Sequence, residues 1–220
     1  MGERALVMLS GGQDSTTCLY WALERFGAGQ VDAVTFDYGQ RHRIELDCAA
    51  EVARHAGVAQ TVLPIDTFAA LGGNALTDPA VDVADAPPGE LPATFVPGRN
   101  IVFLTCAAAL AWQRGVTHLV AGVAQTDYSG YPDCRQETID SLETTLRLGM
   151  EREFTIHTPL MNRSKKDTVL LAAEVGALEA MRLTHTCYNG ARPPCGDCAA
   201  CRLRAKGFEE AGIADPLLST

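Results

Sequence analysis

The sequence predicts an α/β fold built on a parallel sheet. Short apolar runs alternate with segments whose apolar residues recur at helical spacing, which is typical of βαβ units. A glycine pair separates the first apolar run from the first helical segment. Four of the eight cysteines lie close together between residues 187 and 201. These observations predict a Rossmann-like domain over residues 1–183 and a metal-binding segment over residues 184–220.

The predicted elements follow one another with short connections. Strands are expected at 5–9, 31–37, 60–65, 117–122 and 154–157, where β-branched and other apolar residues cluster. Helices are expected from residue 16, at 41–56, 101–113, 137–150 and 165–175, with a last helix around residue 203. Gly57 and Gly176 end two of them, and Asn100 and Ser164 are candidate N-caps.

A long stretch without periodicity, residues 72–99, interrupts this pattern. It is rich in glycine and proline, and a segment of this length in a compact domain is usually functional or disordered. We interpret it as a lid over a ligand, with a partner-binding loop as the alternative.

The loop Ser10-Gly11-Gly12-Gln13-Asp14-Ser15 is the strongest functional signal. Paired glycines let backbone N–H groups approach a ligand closely, and the following helix directs its positive end at the same point. Two hydroxyls and a carboxylate complete a site suited to a polyanion with its magnesium ion. A plain strand-to-helix turn is the alternative interpretation.

Polar side chains follow the second and fourth predicted strands, where ligands of parallel sheets gather. The loop 125–135 offers carboxylates, phenols and a guanidinium, a set that can recognise a planar polar heterocycle. Lys165 and Lys166 begin a helix, a position that the helix dipole disfavours, so one of them is expected to meet an anion. Two exposed lysines would be the commoner explanation.

The clustered cysteines predict a metal site. The C-x-x-C-x-x-C spacing lets thiolates converge on one ion, and the preceding loop can supply a fourth. A four-thiolate zinc site would be structural, and an iron–sulfur cluster is the competing possibility. The expected metal ligands are Cys187, Cys195, Cys198 and Cys201.

Composition narrows the classes of function. The formal net charge of -9 argues against a broad nucleic-acid-binding surface. The longest apolar segment is too short and too interrupted to cross a bilayer, and no targeting signal is evident, so a cytoplasmic location is expected.

Taken together, the motifs resemble those of a known family. The first loop resembles the S-G-G-x-D-S pyrophosphate loop of the ATP pyrophosphatase (PP-loop) superfamily, the adenine nucleotide alpha hydrolase-like fold. The whole chain resembles the 7-cyano-7-deazaguanine synthases of queuosine biosynthesis. The motifs that carry this resemblance are S-G-G-Q-D-S-T-T at 10–17, F-D-Y-G-Q-R-H at 36–42, F-V-P-G-R-N at 95–100, D-Y-S-G-Y-P-D-C-R at 127–135, T-P-L-M at 158–161 with Lys165, and C-Y-N-G with C-G-D-C-A-A-C at 187–201.

The resemblance implies an ATP-dependent ligase that converts 7-carboxy-7-deazaguanine and ammonia first to an amide and then to the nitrile. It implies ATP with magnesium as co-substrate, one structural zinc ion and a homodimer. The net nucleotide products and the ammonia source stay open. A tRNA-thiolating enzyme of the superfamily and a non-catalytic zinc-binding module are the rival interpretations.

The expected site residues form three groups. The residues expected to act in catalysis are Asp14, Ser15 and Lys165. The nucleotide is expected to bind Leu9, Ser10, Gly11, Gly12, Gln13, Asp14, Ser15, Thr16, Thr17, Cys18 and Leu19. The deazaguanine substrate is expected to bind Arg99, Asn100, Asp127, Tyr131, Asp133 and Arg135, with Asp133 reading the base edge and Arg135 the carboxylate.

Overall fold

A computed structural model describes residues 2–78, 80–83, 87, 90–126 and 130–218. Five parallel strands form one sheet: β1 (Ala5–Met8), β2 (Val31–Asp37), β3 (Ala59–Pro64), β4 (His118–Val120) and β5 (Thr155–His157). The strand order is β3-β2-β1-β4-β5. In register, β1 pairs with β2 through Ala5 and Val31, and with β4 through Ala5 and His118. The predicted parallel α/β fold is confirmed.

Helices connect and cover the strands. Their bounds are α1 (Gln13–Phe26), α2 (Ile44–Ala56), α3 (Thr67–Leu71), α4 (Arg99–Arg114), α5 (Gln136–Met150), α6 (Lys165–Glu174), α7 (Leu178–Met181) and α8 (Ala199–Ala211), with a 3-10 helix at Pro132–Cys134. The sequence analysis missed the short helices α3 and α7. Within the described residues, no helix is both long and apolar enough to cross a membrane.

The sheet separates two apolar layers because alternate strand residues face opposite sides. Leu6 of β1 joins the layer beneath α4 and α5, which includes Leu104 and Phe154. Its neighbour Val7 joins the layer beneath α1 and α2, with Leu19 and Val52. Both layers are buried, as expected for a parallel sheet covered on its two faces.

The C-terminal segment packs on the domain through α8. Phe208 of α8 joins Val169 and Ala172 of α6 and Met181 of α7 in a separate apolar cluster. The helices approach closely, since a Cβ added to Gly207 would lie 3.0 Å from the Cβ of Lys165. This packing places the N-terminus of α8 at the same end of the sheet as the first loop.

One predicted cap is wrong and another is confirmed. Asn100 is not the N-cap of α4, which begins one residue earlier at Arg99 after Gly98 in a left-handed conformation. The backbone N–H of Asn100 instead donates to Asp133 Oδ2 at 2.9 Å, a contact from a distant loop. Ser164 does cap α6, in a reciprocal capping box with Asp167.

Candidate active site

A cavity of about 670 Å³ lies at the carboxyl ends of the strands, on the line between β1 and β4. The chain leaves β1 toward one edge of the sheet and β4 toward the other, so their loops diverge and open a crevice there. The walls are close: a Cβ added to Gly122, just after β4, would lie 3.0 Å from the backbone nitrogen of Ser15. This volume is within the range of small-molecule sites.

The loop after β1 packs against α2, which holds it in place. Gly11 has a φ of +82°, and a Cβ there would lie 2.4 Å from the carbonyl oxygen of Glu45 and 2.7 Å from the backbone nitrogen of Ala49. Only glycine therefore lets the loop pack against the first turns of α2. On the cavity side, the hydroxyls of Ser10 and Ser15 lie 3.0 Å apart. The loop thus presents hydroxyls and the start of α1 to the cavity.

Lys165 lies opposite this loop and forms an ion pair with it. Its Nζ is 2.7 Å from Asp14 Oδ2, and both side chains are partly buried. The predicted encounter of a lysine with an anion is confirmed for Lys165, because α6 begins where it can reach the N-terminus of α1. A cation and a carboxylate therefore lie together at the place where the sequence predicts phosphates and magnesium.

The nucleotide-binding set divides into two parts. The members that line the cavity are Leu9, Ser10, Gly12, Gln13, Asp14 and Ser15. Gly11 supports the loop from outside, and the side chains of Thr16, Thr17, Cys18 and Leu19 are fully buried in the helix packing. Burial raises the pKa of the Cys18 thiol well above its usual range, which suits a small core residue.

A second polar group faces the cavity across from the loop. Arg99 stands over the ring of Tyr38 at 5.7 Å. The hydroxyl of Tyr131 lies 2.6 Å from Thr94 Oγ1. Burial raises the pKa of Tyr38 to about 12, so this phenol stays neutral and able to donate.

The other residues predicted to bind substrate are placed differently. Asn100 lines the cavity, and its Nδ2 donates to Cys134 Sγ at 3.2 Å. Asp133 is 4% exposed and is outside the cavity lining, since its carboxylate caps α4. Arg135 is exposed and does not line the cavity either. Asp127 lies outside the described residues.

The sequence analysis overlooked several residues that line the cavity. Glu45, in the first turn of α2, extends into it, and burial raises the pKa of its carboxyl to about 7. His185 comes from the segment before the cysteine cluster, and Tyr188 directly follows its first cysteine, Cys187. The resemblance motifs contain Tyr188, so its position was signalled, whereas Glu45 occupies a polar helix position that resembles many solvated ones.

The long loop borders the same cavity. Its described members there are Leu76, Val83, Pro87, Glu90, Pro92 and Thr94. It is fixed to the domain by backbone hydrogen bonds, including one from Arg41 to Leu76 at 2.7 Å. The position agrees with a lid, and movement of this loop stays a prediction.

The four cysteines predicted as metal ligands come together. The sulfur atoms of Cys187, Cys195, Cys198 and Cys201 all lie within 4.8 Å of one another. Thiolates bound to a single zinc ion at about 2.3 Å would lie about 3.8 Å apart. The Sγ atoms of Cys195 and Cys201 are already 3.9 Å apart.

The surroundings of these thiols favour metal binding. Backbone N–H groups at positions 197 and 198 lower the pKa of Cys195 to about 6, whereas burial raises that of Cys201. Bound metal requires the thiolate form, and N–H donors stabilise it. The cluster therefore fits one tetrahedral metal ion with every position closed by protein.

The cysteine segment also supports the cavity. The backbone N–H of His185 donates to the carbonyl oxygen of Gly11 at 2.9 Å. Gly190 packs directly on the ring of His42, and Arg192 lies 3.0 Å from Cys48 Sγ. Cys198 and Ala199 line the cavity itself. The segment thus fixes both the first loop and the start of α2.

The fold and the site together define a PP-loop nucleotide-binding domain with a cysteine cluster in its C-terminal segment. Comparison with solved structures agrees on the fold. A 4-thiouridine synthetase, solved with RNA and bound ATP, superposes with a TM-score of 0.55 at 16% identity, covering 96% of this chain and 50% of that one. A predicted subunit of a tRNA methyltransferase from Methanocaldococcus jannaschii superposes with a TM-score of 0.52 at 21% identity, covering 78% and 75%.

Comparison with protein families and curated sequences is more specific. The family model for queuosine biosynthesis protein QueC matches residues 4–212. A 7-cyano-7-deazaguanine synthase of Chromobacterium violaceum is 68% identical over 98% of this chain and 93% of its own length. Those of Laribacter hongkongensis and Lysinibacillus sphaericus are 65% and 52% identical, over 99% and 94% of this chain and 95% of each relative. The chain belongs to the QueC family of queuosine biosynthesis enzymes.

Proposed function

We propose that this chain is an ATP-dependent ligase that converts 7-carboxy-7-deazaguanine and ammonia to 7-cyano-7-deazaguanine. The observation that carries the proposal is the 68% identity to a synthase of that name over 98% of this chain. The cavity agrees with it, because the PP-loop lines one side and Arg99, Tyr38 and Tyr131 line the other. The reaction needs activation, because a carboxylate oxygen is a poor leaving group. Transfer of AMP to that oxygen makes it a good one.

The first half of the reaction assigns roles to the loop residues. The substrate carboxylate attacks the α-phosphorus of ATP, and pyrophosphate leaves. Backbone N–H groups at the start of α1 and the hydroxyls of Ser10 and Ser15 hold the phosphates. Lys165 offsets the charge that develops on them, at a place where its ammonium group is already positioned by Asp14.

Magnesium fits the same place through the Asp14 carboxylate, because magnesium ions prefer oxygen ligands and accompany nucleotide phosphates. When bound, the ion would neutralise phosphate charge. The chain's own contribution is the fixed position of this carboxylate, which β1, α1 and α6 determine together.

Substrate recognition is assigned to the opposite wall. Arg99 pairs with the substrate carboxylate as the substrate enters, and the phenols of Tyr38 and Tyr131 hydrogen-bond the heterocycle. Asp133 acts on this wall indirectly, by fixing the start of α4 from which Arg99 projects. Arg135 lies too far toward the solvent for the role that its chemistry suggested.

After adenylation, ammonia displaces AMP to give the amide. A second activation at the amide oxygen allows AMP to leave with that oxygen, and loss of the two nitrogen protons gives the nitrile. We assign a structural role to zinc in the cysteine cluster, where four thiolates leave no open position for chemistry. The close spacing of the sulfur atoms favours one ion over a cluster of several irons.

Liquid chromatography with mass spectrometry tests the proposal. Purified protein is incubated with 7-carboxy-7-deazaguanine, ATP, magnesium and an ammonium salt, and each component is omitted in turn. The nitrile is expected only in the complete mixture. No product in the complete mixture, or product without ATP, would overturn the proposed function. Light scattering on the same sample tests the homodimer, which stays a prediction from the family resemblance.

A further inference from the structure

We propose that Glu45 is the base that accepts a proton from ammonia as it attacks the activated substrate. This inference rests on the proposed function and adds a catalytic residue to it. The carboxylate is part of the cavity wall and is contributed by α2, an element that the phosphate loop itself packs against.

Four described carboxylates line the cavity, and three of them are unsuited to this role. Asp14 is paired with Lys165 and is already assigned to magnesium. Glu90 and Asp197 are exposed at the rim. Glu45 is left as the inner carboxylate, and within the described residues its side chain has neither a hydrogen bond nor an ion pair. Glu45 is partly exposed where it lines the cavity, so its carboxylate is accessible to a ligand there.

The position of Glu45 agrees with the place of reaction. The carbonyl carbon of an adenylated substrate must lie beside the α-phosphate, and hence beside the loop that binds it. The backbone of Glu45 lies against Gly11 of that loop, since a Cβ added to Gly11 would lie 2.4 Å from the Glu45 carbonyl oxygen. A side chain that starts here and enters the cavity is within reach of an incoming nucleophile.

The chemistry of the step needs such a group. Ammonia forms a bond to the carbonyl carbon, and the bond from that carbon to the phosphate oxygen breaks, with its electron pair leaving on AMP. The nitrogen then carries one proton too many for an amide. Glu45 accepts this proton and becomes a neutral carboxyl, so charge and atoms balance. A general base of this kind acts best when its affinity for protons suits neutral pH.

The surroundings of Glu45 give its carboxylate a proton affinity that suits neutral pH. Burial raises the pKa of Glu45, and Arg99 from α4 opposes the rise, so the value is about 7. The other titratable groups that act on it are Tyr38, after β2, and Cys48, one turn along α2. Both are neutral at pH 7, which leaves Arg99 as the cation that keeps the carboxylate available.

Two partial reactions separate this role from substrate binding. ATP–pyrophosphate exchange, measured with 7-carboxy-7-deazaguanine and without ammonia, reports activation alone. Amide formation from an ammonium salt reports the whole first half. Glu45→Gln is expected to keep exchange within about threefold of the wild type and to lower amide formation at least a hundredfold, in line with the loss of a general base. Asp47→Asn, an exposed carboxylate on the same helix, is the matched control and should change neither rate.

Hydroxylamine provides a rescue. It is largely uncharged at neutral pH and is a stronger nucleophile than ammonia, so it should convert the activated substrate to a hydroxamate in Glu45→Gln at a rate near that of the wild type. Loss of exchange in Glu45→Gln would overturn the proposal, because Glu45 would then bind the substrate. Equal amide formation in the variant and the wild type would also overturn it. If the wild type itself shows no exchange, the proposed adenylation fails instead.

Discussion

Replacement of Gly11 by alanine tests how the phosphate loop is built. A left-handed φ of +82° costs about 1–2 kcal/mol for a residue with a Cβ. The added Cβ would also lie 2.4 Å from backbone of α2, and overpacking of this kind costs about 1–3 kcal/mol. The free energy of unfolding should therefore fall by about 2–5 kcal/mol. For a chain of this size, that lowers Tm by about 4–20 °C.

Gly12 is the matched control in the same loop. Its φ of -87° suits any residue, and a Cβ there would lie 3.5 Å from its nearest neighbours, an ordinary contact. Gly12→Ala should change the free energy of unfolding by less than about 0.5 kcal/mol. Both variants are measured by thermal unfolding without nucleotide, followed by circular dichroism. A Gly11→Ala protein that melts within about 2 °C of the wild type, or an equal loss in Gly12→Ala, would refute the argument from close packing.

Three further predictions concern a buried ion pair, the carboxyl of Glu45 and the cysteine cluster. Arg204→Met breaks the ion pair between Arg204 and Asp215, whose side chains are 4% and 8% exposed, and should lower the free energy of unfolding in urea by about 3–5 kcal/mol. Lys206→Met, which removes an exposed pair on the same helix, should lower it by at most about 0.5 kcal/mol. Burial raises the pKa of Glu45 from 4.5 to about 7, so its stabilising contribution is present below pH 4.5 and is lost as pH rises through 7. Glu45→Gln should therefore raise the free energy of unfolding at pH 8 by at most about 3 kcal/mol, which is measured as a higher Tm, and leave it unchanged near pH 4. An equal gain in Tm at pH 8 and at pH 4 would contradict this. Cys195→Ser should lower the bound zinc well below one ion per chain and increase hydrogen exchange across 187–201, and retention of one ion with unchanged exchange would contradict the assigned ligand set.

Most of the fold could be predicted from the sequence, because the patterns that indicate strands and helices are local. Apolar runs with glycine boundaries located the five strands to within about two residues. The error at Asn100 has a different origin: the cap of α4 comes from Asp133, 33 residues away, and no local pattern reveals it. The five-residue and four-residue helices α3 and α7 are too short to show a helical period.

The candidate site was predictable to the extent that it is compact in sequence. The loop 10–15 and the cysteine cluster are contiguous motifs, and the structure brings their members together. The side of the cavity opposite the loop is assembled from separate elements of the chain. Residue chemistry alone therefore pointed to Arg135, which is exposed, and passed over Glu45, which lines the cavity. Only the packing of α2 against Gly11 distinguishes Glu45 from an ordinary surface glutamate.

The most direct test of the proposed function follows nitrogen into the product. The protein is incubated with 7-carboxy-7-deazaguanine, ATP, magnesium and ¹⁵N-labelled ammonium, and the deazaguanine species are followed by mass spectrometry over time. The proposed function predicts an amide that rises first and then falls as a nitrile appears, each with one ¹⁵N atom. Unchanged acid throughout the time course, or a nitrile that lacks the label, would contradict it.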